Sequence, residues 1–295
     1  MAVIWGTNYS IVKSAFREVD PQACNALRML IASATFLAVI ALFRLRPARP
    51  GFAASIFRTP ARMTRRDVLE LVGLGIVGHF FYQYFFIAGV ALTSVANSSL
   101  MLAATPVVIA LLSAVLGYER ISPRHWAGAA LSMLGIYIIV GRGVDLDGHG
   151  LTGDVMMVAA VLCWALYTLG SRRLIARHSP VAVTGLSMTI GTLVYAPVMW
   201  GHVGAVPWAA VSARTWISIV YSSIFALCVA YTIWYAAVRQ IGSARTSVYS
   251  NVIPIVAMAT AVIVLGEPLT AANVIGAIAV LVGVGLTRTQ LAAGS

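Results

Sequence analysis

Residues 104–122, ATPVVIALLSAVLGYERIS, place a proline inside a long apolar run and a glutamate thirteen residues after it. Residues 252–270, VIPIVAMATAVIVLGEPLT, repeat this pattern, and their proline and glutamate both lie 148 residues after those of the first stretch. Proline is rare inside helices, because it lacks the backbone N–H and clashes with the preceding turn. Two apolar segments that share this feature at a fixed spacing predict that the chain contains an internal repeat.

The composition is that of a membrane protein. Hydrophobic residues make up 60% of the 295 residues and charged residues only 10%, whereas soluble domains carry about 25% charged residues. Apolar runs recur along the chain, each long enough to cross a hydrocarbon core about 30 Å thick. The sequence predicts an all-α integral membrane protein with ten transmembrane helices, at residues 3–19, 23–43, 68–91, 95–117, 124–141, 154–175, 180–201, 215–237, 245–265 and 271–288. The first span has no basic region before it, which argues against a cleavable signal, and it is short enough to suggest a truncated helix.

The basic residues predict the orientation of the chain, since they concentrate on the cytoplasmic side of membrane proteins. The loop between the second and third spans, RLRPARPGFAASIFRTPARMTRRD, contains seven arginines, and the other loops on that side add eight basic residues. The opposite side carries only three. Both termini are therefore predicted to be cytoplasmic, in a bacterial-type inner (plasma) membrane. The net charge of +11 then requires no nucleic-acid partner.

The repeat extends over the whole chain. The offset of 148 residues also pairs glycines of the fifth and tenth spans, and an offset of 159 residues pairs Trp5 with Trp164 near the start of each half. The sequence therefore predicts two five-helix repeats, residues 1–143 and 154–290, joined by a periplasmic loop at 144–153. An odd number of spans inverts the second repeat relative to the first, an arrangement that is typical of secondary transporters.

Pro106 and Pro254 are predicted to act as hinges. Each falls near the middle of a predicted span, removes one helical hydrogen bond and frees the carbonyl four residues earlier, on Leu102 or Ser250. Free backbone at that depth is tolerated only against protein or a water-filled cavity. A static kink that serves packing is the alternative. The glutamates of the repeated stretch lie about 20 Å further along, near the membrane interfaces.

Three short motifs carry a family resemblance: WGTNYSIVK at 5–13, LRMLIA at 27–32 after a proline, and the paired segments with proline and glutamate thirteen residues apart. With these motifs the chain resembles the EamA-type drug/metabolite transporters over essentially its whole length. The resemblance implies ten helices, cytoplasmic termini and the movement of small metabolites, often outward. Within that family, the aromatic third span is most similar to the YddG-type exporters of aromatic and other neutral amino acids.

Polar and aromatic side chains deep in the predicted spans are candidates for a binding cavity, because such groups are costly in lipid. In GHFFYQYFF (78–86), His79, Tyr82 and Phe86 share one helical face. The candidates for substrate binding are Trp5, Asn8, His79, Tyr82, Ser99, Met101, Trp164, Tyr231 and Tyr249. Such a cavity suits a small amphipathic solute better than a phosphorylated one. The alternatives are a packing role for the histidine, and core or interfacial positions for the aromatic residues.

Two basic residues, Lys13 and Arg28, lie within predicted spans. One hypothesis places them at the outer mouth of the cavity, where either could hold the carboxylate of a solute. The alternative is that they extend to the interface and pair with backbone groups or with Asp20. The sequence leaves both possibilities open.

The source of energy is inferred from what the spans contain. A Walker A motif is absent, since the only lysine, Lys13, lacks a glycine-rich loop before it. No carboxylate lies deep in a predicted span. A proton-driven carrier needs a titratable group in its path, and His79 is the candidate, because the ordinary pKa of histidine is about 6.5. The sequence favours facilitated transport down a gradient, with proton exchange second.

Other classes of protein fit the sequence less well. An intramembrane enzyme lacks its usual motifs and a pair of acids at depth, and a channel lacks a ring of pore-lining groups. The three cysteines have no paired spacing, so free thiols are expected, with no metal and no cofactor. The expected partners are a small solute and the lipid bilayer. The glycine spacing in the fifth and tenth spans (Gly128, Gly135, Gly276, Gly283) fits close packing within a monomer or a homodimer face.

Together these features predict a secondary transporter that exports small metabolites, most of all aromatic and other neutral amino acids, by alternating access. A proton-coupled drug carrier or a carrier of sugars or nucleosides is the alternative. The outward direction follows from the resemblance alone.

Overall fold

The computed structural model describes residues 1–45, 52–59, 61–116, 123–142, 149–241 and 252–288, together with positions 246 and 250. Nearly all of these residues are helical, and no strand occurs among them. By length and composition, five of the described helices can cross a membrane, at Pro21–Leu45, Arg65–Leu92, Gly150–Arg177, Pro180–Val198 and Ala213–Gln240. The chain is therefore an all-helical membrane protein, as its composition predicts.

The described α-helices are numbered in chain order: α1 (Ala2–Ala15), α2 (Pro21–Leu45), α3 (Phe52–Phe57), α4 (Arg65–Gly75), α5 (Tyr82–Leu92), α6 (Val95–Leu102), α7 (Thr105–Val115), α8 (Pro123–Arg142), α9 (His149–Arg177), α10 (Pro180–Val198), α11 (Trp200–Ala205), α12 (Ala213–Tyr221), α13 (Ala230–Ile241), α14 (Val252–Thr260) and α15 (Ala271–Arg288). Three π-helical segments continue these helices, at Ile76–Phe81 between α4 and α5, at Ser222–Val229 between α12 and α13, and at Ala261–Leu265 after α14.

Two helix ends differ from the predicted spans. Residues 149–153, which the sequence assigns to the connecting loop, form the start of α9. The first helix ends at Ala15, where the sequence predicts residue 19. The reason lies in the start of α2: the Asp20 carboxylate accepts the N–H groups two and three residues further on, at 2.9 and 3.0 Å. Pro21 then takes the first helical position, where a missing N–H is harmless.

The proline of the first repeated stretch lies just after a helix break. α6 ends at Leu102 and α7 begins at Thr105, so that Pro106 occupies the first turn of a new helix, where its missing N–H is tolerated. The Leu102 carbonyl, which the proline leaves without its helical partner, accepts the Thr105 hydroxyl at 2.5 Å. Pro254 likewise lies in the first turn of α14. The two prolines thus begin helices, and their role as hinges stays a prediction.

Four pairs of helices form the main contacts of the bundle: α8 with α15, α5 with α9, α2 with α10, and α1 with α14. The closest approach of α8 to α15 is at Gly135. A Cβ atom there would lie 2.9 Å from the carbonyl oxygen of Gly276 and 2.9 Å from the backbone nitrogen of Val280. Because both obstructing atoms belong to the backbone, only a glycine fits at this position.

The variant Gly135→Ala is therefore expected to unfold at lower temperature than a matched glycine variant. Gly285→Ala is the control, since a Cβ atom at Gly285 has no neighbour within 4 Å and alanine favours a helix in both places. Overpacking of a tight contact costs about 1–3 kcal/mol of unfolding free energy. Thermal unfolding of both purified variants in detergent measures the difference. Equal melting temperatures would contradict the close α8–α15 contact.

Candidate functional site

A cavity lies inside the bundle, bounded by α1, α2, α5, α6, α7, α9, α13 and α14. Its empty volume, counted with the solvent space at its mouth, is about 760 Å³, which is a usual size for a site that binds a small molecule. The sequence candidates that line it are Trp5, Asn8, Tyr82, Ser99, Trp164 and Tyr231. Further lining residues are Tyr9, Arg28, Gln83, Phe86, Leu102, Thr105, Pro106, Ile109, Leu227, Trp234 and Ile253.

Trp164 lies at the centre of an aromatic wall. Its ring centroid is 5.1 Å from that of Tyr82, 5.3 Å from that of Tyr231 and 5.9 Å from that of Trp5. Trp234 extends the wall, with its centroid 5.5 Å from that of Trp5. These separations are typical of aromatic pairs in mutual contact. The wall therefore offers ring faces and edges to an apolar or aromatic part of a solute.

Several polar atoms beside the cavity have no protein partner. Asn8 Oδ1, Tyr9 OH and Trp234 Nε1 are buried without a hydrogen-bond partner among the described residues. In contrast, Trp5 Nε1 donates to the carbonyl of Ala226 at 3.0 Å. Buried polar groups in native proteins nearly always have a partner. Unpaired polar atoms beside a cavity thus indicate that it receives a polar group, from a solute or from water.

Arg28 is the only charged side chain among the described residues that line the cavity. It is 1% exposed; its Nε donates to Ser222 Oγ at 2.8 Å and its Nη1 donates to Asn25 Oδ1 at 3.0 Å. No carboxylate in the described part of the chain lies within 4.0 Å of the guanidinium. The sequence places this charge at the outer mouth, whereas the structure places it in the cavity wall, because Arg28 lies two turns inside α2.

His79 lies behind the cavity wall. Its side chain is fully buried in the π segment before α5, and its Nε2 is 3.1 Å from Tyr167 OH and 3.1 Å from Ser187 Oγ. Its ring centroid is 5.9 Å from that of Tyr231, which does line the cavity. The surroundings of His79 are therefore those of a hydrogen-bonded packing residue, one layer away from the site.

The remaining candidates lie in different places. Met101 is buried in the core, on the side of α6 that faces α9. Pro106 lines the cavity. Pro254 is buried beside Ile253, which also lines the cavity. Tyr249 lies outside the described residues.

Lys13 belongs to a network at the end of the bundle where α1 ends and α6 begins. Its Nζ donates to Glu267 Oε1 at 3.0 Å and to the carbonyl of Thr93 at 2.6 Å. The second oxygen of Glu267 accepts the N–H of Val95, at the start of α6, at 2.9 Å. The lysine thus pairs with a backbone group, one of the expected alternatives, but its acidic partner is Glu267 and not Asp20. We call this set of groups the Lys13–Glu267 network.

The sequence pattern does not single out Tyr9, Thr105 or Ile253, all of which line the cavity. Tyr9 lies four residues after Trp5 and therefore shares its helical face, a signal that the sequence does contain. Thr105 and Ile253 adjoin the prolines, and only the helix start at each proline brings them to the cavity.

A bundle of apolar helices around an aromatic cavity with a few polar groups defines a membrane transporter for a small solute. The chain belongs to the EamA-like transporter family, which it matches over residues 1–141 and 151–289. This confirms the resemblance that the sequence motifs indicate. The family is one of transporters and not of enzymes.

Known relatives span nearly the whole chain at low identity. An uncharacterized transporter of Bacillus subtilis, YyaM, is 23% identical over 290 residues, which cover 96% of this chain and 89% of the relative. A probable amino-acid metabolite efflux pump of Salmonella typhimurium is 24% identical over 292 residues, which cover 96% of this chain and 90% of the relative. A solved crystal structure shares the fold, with a TM-score of 0.67 at 21% identity over 99% of this chain and 95% of the other.

Proposed function

We propose that the protein exports small metabolites across the inner membrane, above all aromatic and other neutral amino acids, by alternating access. The observation that carries this proposal is the cavity, which combines an aromatic wall, a few unpaired polar atoms and one charged side chain. A solute with an apolar side chain and a compact polar end fits such a site. The printed name of the Salmonella relative, an amino-acid metabolite efflux pump, supports the same class of solute.

The architecture that we propose for this function is a pair of inverted five-helix repeats, residues 1–143 and 154–290. The π segments support it. When Ile76–Phe81 is moved by the repeat offset of 148 residues, it falls on residues 224–229, inside the π segment Ser222–Val229. π segments are rare, so their recurrence at equivalent positions favours duplication over coincidence. The two family matches divide the chain at nearly the same place.

The starts of α4 and α12 support the repeat as well. The Thr64 hydroxyl accepts the N–H three residues further on, and Ser212, 148 residues later, does the same. A residue from an earlier helix end binds each start: Ser212 donates its N–H to Glu18 at 2.8 Å, and Arg177, 159 residues after Glu18, donates to Asp67 at 2.9 Å. The bonds from Ser212 hold the pKa of Glu18 below its ordinary value.

With an inverted pair of repeats, the two halves rock around the cavity and open it alternately to each side. We place both termini in the cytoplasm, on the strength of the arginine-rich loop after α2. The Lys13–Glu267 network then lies on the outer side. Pro106 and Pro254 begin helices beside the cavity and are the proposed hinges.

We favour facilitated transport over proton exchange. No carboxylate lines the cavity within the described residues, and His79 is separated from it by Tyr231. A proton relay needs a titratable group that the solute or water reaches. A proton-coupled carrier of drugs, sugars or nucleosides is the alternative.

The test uses purified protein in liposomes preloaded with labelled phenylalanine, threonine or a sugar, and follows release with and without a pH gradient. We expect saturable release of phenylalanine without a gradient, no release of the sugar, and the same pH response in wild type and in a His79→Gln variant. Release of the sugar alone would overturn the amino-acid assignment. Loss of a pH-driven component in His79→Gln would establish proton exchange.

A further inference from the structure

The Arg28 guanidinium is a buried cation whose counterion is missing from the described part of the chain. Its two hydrogen bonds go to the neutral oxygens of Ser222 and Asn25. A guanidinium carries five N–H groups, so most of its donors are left over. No other acceptor among the described residues takes them. The protein therefore solvates this charge only in part.

An unpaired charge inside a protein is strongly unfavourable, and native proteins pair buried charges with an opposite charge or a ligand. Arg28 lines the cavity together with neutral residues only, as far as the described residues go. A molecule that enters the cavity is thus the available source of a negative charge. An arginine is well suited to hold it, because its planar fork makes two parallel hydrogen bonds to a carboxylate.

We propose that Arg28 binds the carboxylate of the transported solute and so makes the cavity selective for monocarboxylates. The proposal rests on the proposed function, in which the cavity binds small metabolites, and it adds the chemical class of their polar end. A single cation matches a single carboxylate, whereas a polyanion leaves further charges unpaired. Amides and amines of the same shape lack the charge that Arg28 requires.

The same cavity offers groups for the ammonium of an amino acid. Asn8 Oδ1 is buried without a partner in the described structure and accepts hydrogen bonds. The rings of Trp5 and Trp164 stand in the same wall, and indole faces attract cations. Arg28 for the carboxylate, Asn8 for the ammonium and the aromatic wall for the side chain together describe an α-amino acid.

A purely structural role for Arg28 is the competing explanation, since its bonds join α2 to the π segment Ser222–Val229. A structural role affects all solutes alike. A carboxylate subsite affects only solutes with a carboxylate. The two explanations are separated by comparing L-phenylalanine with L-phenylalaninamide, which differ only in that group.

The experiment measures binding of both compounds to the purified full-length protein in detergent at about pH 6, where α-amino groups are protonated. We expect wild type to bind phenylalanine roughly tenfold to hundredfold more tightly than phenylalaninamide, as befits hydrogen bonds between charged groups. In Arg28→Gln the affinity for phenylalanine falls to that for the amide, which stays unchanged. Equal binding of both compounds by wild type, or an unchanged preference in Arg28→Gln, would overturn the proposal.

Two further variants keep the result clear. Arg17→Gln removes an exposed arginine with no ion pair among the described residues and is expected to keep the wild-type preference. If Arg28→Gln loses both compounds, Arg28→Lys decides the question: a retained preference for phenylalanine supports the subsite, and equal weak binding of both compounds contradicts it.

A second pair of probes separates this inference from the proposed function. If wild type binds no amino acid, its thermal stability is measured with 3-phenylpropionate and with the corresponding amide. Stabilisation of wild type by the acid alone, absent in Arg28→Gln, keeps the carboxylate subsite although the amino-acid function fails. The same response to acid and amide rejects the subsite.

Discussion

Replacement of Trp164 by alanine is expected to raise the phenylalanine concentration for half-maximal transport by about tenfold to hundredfold. Trp164 contacts Tyr82, Tyr231 and Trp5, and so supports the aromatic wall from its centre. A buried tryptophan at the centre of a binding surface commonly contributes 2 kcal/mol or more to binding, on the order of 30-fold. Its loss also leaves a void into which the neighbouring rings can move. Concentration-dependent counterflow in liposomes measures the effect.

Two variants control for the loss of a large core side chain, which alone destabilises a protein by about 3–5 kcal/mol. Trp164→Phe keeps an aromatic face and is expected to retain most of the affinity. Trp200→Ala removes a tryptophan that is 69% exposed and far from the lining residues, and should leave transport unchanged. An unaltered half-saturation concentration in folded Trp164→Ala would remove the wall from the binding site.

Much of the fold follows from the sequence, because a bilayer leaves few options. A chain that must satisfy its backbone hydrogen bonds in lipid forms helices, and the apolar runs locate them to within a few residues. The aromatic cavity could also be anticipated, since aromatic and polar side chains at mid-depth face the interior of a bundle. Trp5, Tyr82 and Trp164 are cases in point, and all three line the cavity.

The sequence does not determine which of the buried groups reach the cavity. His79 and Tyr82 are both predicted for one face of a regular helix, but a π segment at Ile76–Phe81 lies between α4 and α5 and changes the register. The structure then directs His79 towards Tyr167 and Tyr82 towards Trp164. Hydrophobic periodicity assumes a constant 3.6 residues per turn, so such a shift is invisible to it.

Charged residues show the same limit. Lys13 and Arg28 have the same appearance in the sequence, as single basic residues in apolar spans. Lys13 finds an acidic partner 254 residues away, and Arg28 finds none among the described residues. Partners at such separation depend on how helices pack against each other, and no local pattern encodes that.

The Lys13–Glu267 network is well placed to hold one end of the cavity closed. It joins α1, the start of α6 and the residue that follows the last π segment, through three hydrogen bonds of 2.6 to 3.0 Å. The two charged side chains are only 24% and 18% exposed, so solvent screens their attraction less than at an open surface. Ser10, one turn from Lys13 towards the cavity, is fully buried against Thr260.

Lys13→Met is therefore expected to open this end of the bundle more often. The variant removes the charge that pairs with Glu267 and the donor to the Thr93 carbonyl, and the loss of a partly buried charged hydrogen bond weakens the closed state by about 1–2 kcal/mol, or roughly 5- to 30-fold. The measurement is the labelling rate of Ser10→Cys by a membrane-impermeant maleimide added outside the cell, in a background in which the three native cysteines are alanine. Lys13→Arg keeps the charge and should label slowly, as should the otherwise unchanged Ser10→Cys protein. If Lys13→Met labels at that same slow rate while it still transports, the network is a structural tie between helices that stay together, and the closure of this end must depend on other contacts.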